Sequence, residues 1–486
     1  MLVGLASVPT SAVGQLGPDG SPITTSNYTI DLTYGVVIST SRVVGLAGAA
    51  ASLAQGVEGG LQNPSAVAYR GPQWPDWYDY WLAFGVTYPF SAGDFYNSGR
   101  ALQNTSDVAL DNIVFLIPGA YFQLWNLGIG LTIESQFVRL SNISDASTGQ
   151  AQPLRLRFTT FHVQAGYGFW DGQLMIGGGL RILRQRVFVS DSFVSSGDSY
   201  RTIGLGAELG LMLRPHHKRW SLGASLFPRF KTQLERGGRV METPEGNILV
   251  GDLYVPQETT LPWMGGVGFS YQFGPRPPNP PWISAEELAA PELERLKRRQ
   301  RAAKEAEARE IEAVRARGGP DVEICVRAVQ QKYERKDAKI KQSRKELKKL
   351  AWEILRKRYR QGWPRRYYLL TADLGFTGRV TEGVGVESFA FQTVQRSGQK
   401  VTVSPRLGFE AEVWPRRMKV RAGSYVEPSR FADSTARVHG TFGFDINVLN
   451  WNVFRLWPDD YRWQISVAID LAQRYGSFSA GIGGWY

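Results

Sequence analysis

Thr202-Ile203-Gly204-Leu205-Gly206-Ala207-Glu208-Leu209-Gly210-Leu211-Met212-Leu213 alternates from end to end. The odd positions are Ile, Leu, Ala, Leu, Leu and Leu, and the even ones are Thr, Gly, Gly, Glu, Gly and Met. A pleated strand sends successive side chains to opposite faces, so one face here is hydrocarbon and the other small or polar. The pattern recurs. Residues 219–231 set Trp220, Leu222, Ala224, Leu226 and Phe230 against Ser221, Gly223, Ser225, Arg229 and Lys231. Residues 261–273 and 437–448 repeat it, the latter with Val438, Phe442, Phe444, Ile446 and Val448 opposite Arg437, His439, Thr441, Asp445 and Asn447.

A soluble sandwich also alternates, and three features separate it from a membrane barrel. The strands are about a dozen residues, where soluble strands run about 5–6. The minority face carries ionisable groups mid-strand (Glu134, His162, Glu208, Asp373, Glu410, Asp470), as a wet lumen permits. Aromatic residues such as Trp77, Tyr88, Phe90, Trp125, Trp170, Trp263 and Trp414 gather at strand ends, where interfacial girdles belong. The expected fold is therefore an all-β transmembrane barrel of about 14 antiparallel strands. The strands fall at 77–90, 112–125, 127–140, 154–169, 173–188, 200–213, 219–232, 259–274, 365–378, 400–414, 417–428, 436–449, 461–472 and 475–486. Short connections (Asn126, 170–172, 215–218, 415–416) read as periplasmic turns, and longer ones (91–111, 233–258) as outward loops. Residues 385–397 read either as a strand or as part of a long loop. In 154–169 the apolar parity slips between Phe158 and Phe161, which suggests a bulge at Thr159-Thr160.

Residues 275–363 break the alternation. Prolines at 275, 277, 278, 280 and 281 lead into Ser284-Ala285-Glu286-Glu287, a capping-box-like helix start. Two charged helical stretches follow, at about 285–317 and 321–361, separated by Gly318-Gly319-Pro320. The first has few large apolar residues and reads as solvated or part of a shallow hairpin. The second places Ile340, Leu347, Leu350, Ile354 and Leu355 on one side. By strand parity this insertion projects into the periplasm.

Composition agrees. The chain has 486 residues with 53 Gly, and 12% of them are aromatic. No stretch approaches the roughly 18 apolar residues of a membrane helix. Of the net charge of +12, a surplus of nine sits between Ser284 and Gly362, with 23 Lys and Arg against 14 Asp and Glu. Nucleic acid is not expected, because no basic groove with interleaved aromatics accompanies that charge. The single Cys325 excludes an internal disulfide framework. Four scattered histidines show no zinc spacing, so no metal and no cofactor are expected. The final strand alternates Phe478, Ala480, Ile482, Gly484 and Tyr486, resembling the C-terminal signal read by the outer-membrane barrel assembly machinery. Residues 1–27 read as a signal remnant, with cleavage before Gln15, or as a flexible terminus.

Residues 28–76 precede the first strand. They contain Arg42-Val43-Val44-Gly45-Leu46-Ala47-Gly48-Ala49, an Ala-rich stretch, and then Asn63-Pro64-Ser65. A run so rich in Gly and Ala suits a crowded interior, and Asn-Pro initiates a turn. This order, Arg-x-x-Gly-x-Ala-Gly-Ala and then Asn-Pro-small before a barrel, resembles the FadL/PorV group of outer-membrane barrels. It departs from the family's Asn-Pro-Ala at Ser65. The resemblance implies fourteen strands at 77–274 and 364–486, with residues 28–76 as a hatch in the lumen. Arg42, Gly45, Gly48, Asn63 and Pro64 are the hatch residues carried over, and they define no ligand pocket.

One branch of that family takes up small hydrophobic molecules past the hatch, partly by lateral exit; the other serves as secretion-associated partners. Passive uptake through a hatch-gated lumen is the function expected of this chain, and the scaffold is the alternative. As a channel it would bind a hydrophobic ligand, although the Gly-rich, charged lumenal face outlines no continuous greasy pocket. As a scaffold it would use the basic arm (Arg298, Arg299, Lys348, Lys349, Arg356, Arg358) to hold a periplasmic protein or peptidoglycan. Motility or secretion complexes are partners of that kind. No Ser-His-Asp spacing stands out, so an enzyme is not expected. The location implied is the outer membrane of a Gram-negative cell, with outer-membrane lipid around the barrel.

Overall fold

The computed structural model describes residues 16–72, 76–91, 93–99, 113–144, 151–189, 200–235, 241–250, 253–256, 258–432, 434–450 and 462–484. Fourteen strands form one closed ladder. They are β1 Tyr78–Ser91, β2 Val114–Leu124, β3 Leu127–Ser144, β4 Ala151–Phe169, β5 Leu174–Val189 and β6 Tyr200–Leu213. Next come β7, in two pieces at Trp220–Phe227 and Phe230–Leu234, and β8, in two pieces at Glu258–Leu261 and Met264–Phe273. The rest are β9 Tyr368–Thr377, β10 Thr402–Trp414, β11 Met418–Glu427, β12 Arg437–Asn450, β13 Arg462–Ala472 and β14 Tyr475–Gly484. β14 pairs back onto β1, from Phe84↔Ile482 to Tyr88↔Phe478. Closure leaves no row of unpaired backbone groups, a requirement for a sheet in hydrocarbon.

The two faces of each strand obey the alternation. On β6, Leu205 and Leu209 are 61% and 52% exposed, while Thr202 and Glu208 are fully buried. Outward apolar side chains continue around the barrel, among them Leu131, Val163, Leu180, Val267, Leu370, Leu407, Phe442 and Ile482. Exposed aromatics (Trp125, Phe169, Trp170, Phe273, Tyr368, Trp414) mark the end with the short turns. This outward belt over a closed ladder is that of a membrane-spanning barrel.

Two expectations about the strands need correction, and one open choice is decided. No bulge lies at Thr159-Thr160: the β4–β5 register is continuous from Leu154↔Val189 to Phe169↔Leu174, and Ser135↔Thr159 and Glu134↔Thr160 are in step. The parity slips because Phe158 points into the lumen, where it is buried against other apolar groups. Residues 385–397 are not a barrel strand; they hold a short helix, Val386–Phe391, after a two-residue strand at Gly383–Val384. Finally, 219–232 and 259–274 are not continuous strands. Each is interrupted, at Pro228-Arg229 and Pro262-Trp263, because proline has no N–H to give the ladder. Of the proposed signal remnant, residues 1–15 lie outside the described residues. Residues 16–27 are tied down: Gly20 and Ile23 donate backbone hydrogen bonds to Val394 and Gln392 at 2.8 Å each, and Leu16 is buried.

Contacts divide the chain into two units, one comprising the barrel and what fills it, the other comprising Arg70–Asp79 and Pro280–Pro364. The second unit is a helical hairpin. Its helices, which we call αA (Ala285–Arg317) and αB (Val322–Lys357), are joined through Gly318 and Gly319, both at positive φ. Ser284 Oγ accepts from the Glu287 N–H at 3.0 Å, capping αA as its sequence suggests. The helices meet through Ala289, Leu293, Leu347 and Ala351. Polar pairs lie between them: Gln300 to Asp337 at 2.5 Å, and Lys332 and Tyr333 to Glu310 at 2.7 and 3.0 Å. The expected apolar side of the second helix is only partly right. Leu355 is buried, but Leu350 and Ile354 are exposed, and Val326, Val329 and Tyr333 are the other large residues buried on αB.

Candidate functional site

Residues 41–69 run inside the barrel, with helical turns at Ser41–Gly45 and Gly56–Gly60 and a 3-10 turn at Pro64–Ala68. Strands from all sides hold this lumenal segment. Gln123 on β2 donates to Val67 O at 2.7 Å, Gln164 on β4 to Gly60 O at 2.9 Å, and Thr371 on β9 to Ala49 O at 3.0 Å. Thr441 on β12 donates to Gly45 O at 3.1 Å and Gln464 on β13 to Glu58 Oε1 at 3.1 Å. Asn63 shapes the Asn-Pro turn: its Oδ1 accepts from the Ser65 N–H at 3.0 Å, and its Nδ2 donates to Ala51 O and to Leu211 O on β6. Pro64 takes the first position of that turn, where a missing N–H costs nothing.

Close approach explains the Gly-rich lumenal face. A Cβ on Gly210 would sit 2.1 Å from Asn63 Oδ1, and one on Gly223 would sit 2.0 Å from Ala51 O. Gly48 is at φ +74, and a Cβ there would meet Arg406 Nη1 at 2.6 Å. A Cβ on Gly45 would lie 3.3 Å from Gly443 Cα. The small residues of the segment and those of the strands are therefore two halves of one packed surface.

A charged sector on β10–β13 holds Arg42. Its Nε donates to Glu410 Oε2 at 3.1 Å and its Nη1 to Gln55 Oε1 at 3.3 Å. Glu410 also accepts from Arg421 Nε at 2.6 Å and Tyr367 OH at 2.7 Å, while Arg421 reaches Asp445 with both Nη atoms. All four charged side chains are buried or nearly so. Nearby, His439 meets Asp470 at 2.8 Å and Glu427 at 2.7 Å; Tyr425 donates to Asp470 at 2.7 Å, and Arg437 to Glu427. Elsewhere in the lumen His162 pairs with Glu208 at 2.9 Å, Asp373 accepts from the Ala51 N–H at 2.8 Å, and Glu134 accepts from Tyr34 OH. The lumenal acids and histidine singled out in the sequence thus all face inward. Arg421, Asp445 and Glu427, by contrast, escaped notice as partners, because the pairing runs between strands and leaves no spacing along the chain.

Between the lumenal segment and Leu32–Ile38 lies a cavity of about 260 Å³. Phe158, Leu183, Phe227, Leu261, Val36 and Ile38 supply much of its apolar wall, and Glu134, His162, Arg181 and Arg406 its polar points. Leu61 and Gln62 line it from the lumenal segment. The sequence outlined no such pocket, because Val36 and Ile38 come from the N-terminal segment and the wall residues from strands far apart in the chain. The apolar wall belongs to a larger buried cluster that includes Tyr28, Ile30, Phe95, Tyr200, Ile248 and Phe389.

The cavity adjoins the interrupted pair of strands. β7–β8 pairing stops at Phe227↔Met264 and resumes at Phe230↔Leu261, and Phe227, Leu261, Pro262 and Met264 all line the cavity. Arg181 reaches across from β5. Its Nη2 donates to Pro228 O at 3.2 Å, and its guanidinium lies 4.9 and 5.1 Å from the Phe227 and Phe230 rings.

The remaining sequence-derived sites lie apart. Phe478 is exposed on the outward face of β14, and Tyr486 lies outside the described residues. On the hairpin, Lys348 pairs with Glu286, Lys349 lies 4.0 Å from Glu353, and Arg356 lies 4.5 Å from the Trp352 ring centre. Arg298, Arg299 and Arg358 are exposed.

A closed fourteen-strand ladder with an outward apolar belt and a filled lumen defines an outer-membrane β-barrel protein. No family model matches the sequence, and no curated protein matches it. Among solved structures the chain is similar to the "CymD monoaromatic hydrocarbon channel", at 10% identity and a TM-score of 0.46 over 93% of this chain and 97% of that one. It is also similar to a Pseudomonas aeruginosa FadL homologue (12% identity, TM-score 0.43, 92% and 97% covered). A third is the "TodX monoaromatic hydrocarbon channel deltaS2 mutant" (11%, 0.36, 90% and 96%). The barrel assignment stands on the ladder itself rather than on these overlaps.

Proposed function

We propose that the barrel is a non-catalytic channel for small apolar molecules, with residues 41–69 acting as a hatch. One observation carries this reading: a cavity of about 260 Å³, walled by apolar side chains with Glu134, His162, Arg181, Asp373 and Arg406 among them, lies inside the barrel against the place where the β7–β8 ladder breaks. That volume exceeds the roughly 150 Å³ that admits benzene and approaches the lower end, about 300 Å³, of small-molecule pockets. A molecule of one or two rings would fit. The interrupted pairing at Pro228 and Pro262 would be its sideways path to the bilayer, with Arg181 as the clamp. The test is uptake of radiolabelled naphthalene by cells producing the protein. Leu183→Trp should fill the cavity and cut uptake several-fold without loss of folded barrel; unchanged uptake by that variant sinks the route.

A second reading, an envelope scaffold, has its own observation: the hairpin forms a separate contact unit of two long helices. It joins β8 to β9 at the barrel end that carries the short turns 125–126, 170–173, 214–219 and 415–417, which supports a periplasmic position. Cys325 lies exposed on αB and provides a probe. A membrane-impermeant maleimide should label it only after the outer membrane is permeabilised. Labelling in intact cells would place the hairpin outside.

A further inference from the structure

The hairpin's charge is not spread along it. Residues 295–304 of αA contain six Lys or Arg and no acid, and residues 335–345 of αB contain six with one acid, Asp337. The Gln300–Asp337 hydrogen bond sets these two windows side by side. The rest of the hairpin carries acids and bases in near balance, so the surplus is a belt about 15 Å long at the helical rise of about 1.5 Å per residue. Within the belt, Arg295, Lys297 and Lys341 are committed to Glu292, Glu294 and Asp337 at 2.6, 2.6 and 2.8 Å. Among the described residues Arg298, Arg299, Arg301, Arg335, Lys339 and Lys345 have no carboxylate within ion-pair distance and are exposed, Glu294 lying nearer Lys297 than Arg298 or Arg301; Lys304 and Lys336 are exposed too, beside Asp337 and the Tyr333 ring, and Arg344 is half-buried. The cations expected nearer the hairpin base are answered differently: Lys348 and Lys349 face Glu286 and Glu353.

A helix face kept polar only for solubility mixes both signs. A dozen cations within two helical windows repel one another and weaken the hairpin unless something answers them. The chemistry of that partner is constrained. The belt's larger apolar residues, Leu296 and Ile340, are half-buried, so nothing there can insert into a bilayer as an interfacial helix does. The cations also spread around αA rather than along one line. At 3.6 residues per turn Lys297, Arg298, Arg299 and Arg301 fan over about 200° of αA. A flat membrane would engage one side only; a polymer mesh can engage all of them.

We propose that this belt docks the carboxylate-bearing polymer of the cell wall, peptidoglycan, with Arg298, Arg299, Arg301, Arg335, Lys339 and Lys345 as its main contacts. The inference rests on the periplasmic reading of the hairpin, which the Cys325 labelling tests separately. The experiment uses the full chain in detergent micelles, sedimented with purified sacculi. Binding should be strong near 0.1 M salt and lost near 1 M, as the screening length falls from about 10 to about 3 Å. The six-fold variant R298Q/R299Q/R301Q/R335Q/K339Q/K345Q should bind at least tenfold more weakly while keeping its helical circular dichroism and heat-modifiable barrel. Sacculi with amidated carboxylates should fail to retain the unaltered protein, a readout independent of any variant's folding. Equal retention of the six-fold variant, or of amidated sacculi, overturns the proposal. So does absence of sedimentation, or binding that instead follows phosphatidylglycerol vesicles or an acidic protein.

Discussion

Gly210 and Asn63 approach each other across the lumen with no room for one more carbon. Gly210→Val should cost about 1–3 kcal/mol through overpacking and push the Asn63-Pro64 turn out of its seat. The expected readout is a several-fold rise in small-solute leak through reconstituted protein; a tightly closed Gly210→Val barrel would show that the turn does not seal. Gly440→Ala is the control, since a Cβ there meets nothing within 4 Å. Arg421 is the other residue on which the filling depends. Arg421→Met strips the main counter-charge from Asp445 and one of two arginines from Glu410, both carboxylates being buried, and removal of one partner from such a group costs about 3–5 kcal/mol. The barrel's unfolding midpoint should fall accordingly, and a midpoint unchanged from the parent would mean that Arg42 alone satisfies Glu410.

At the scale of elements, the hairpin titrates by itself. The hydrogen bond from Lys332 holds the Glu310 carboxyl below its usual range, and those from Lys341 and then Gln300 do the same for Asp337. Depressed carboxyl values contribute stability that is present above the unfolded values, about 4.3 for Glu and 3.9 for Asp, and lost as pH falls through the folded ones. Lys332 is raised by the same bond, so its share is present below about pH 10.4 and lost above it. Helical circular dichroism of the hairpin should therefore be flat from about pH 5 to 9 and weaken below about pH 4. A signal constant down to pH 2 would mean that these pairs do not matter. Ser284→Ala removes the αA cap and should destabilise that helix by about 0.5–2 kcal/mol, seen as earlier proteolysis near residue 285.

For the whole molecule, the proposed route through the break in β7 and β8 is the point to test. Arg181→Ala removes the bond to Pro228 O and the cover over Phe227 and Phe230. If the exit is sideways, uptake of naphthalene should rise while passage of small hydrophilic solutes stays unchanged. A parallel rise of both would point instead to a pore along the barrel axis.

Period-two alternation placed the fourteen strands, because the boundary between lipid and lumen is written into every second residue of a single strand. The same local logic found the capped, glycine-separated helices of the hairpin, and Asn63-Pro64 announced its own turn. Contacts between distant residues were not legible. Phe158 broke the local parity rule because its neighbours in the lumen, among them Leu183 and Val36, come from elsewhere in the chain, and a bulge was the nearest local explanation. The partners of Glu410 and Asp470, the apolar cavity, and the matching of lumenal glycines to the segment packed against them are set by which strands become neighbours when the barrel closes. Alternation records a residue's face, but only closure decides what it faces.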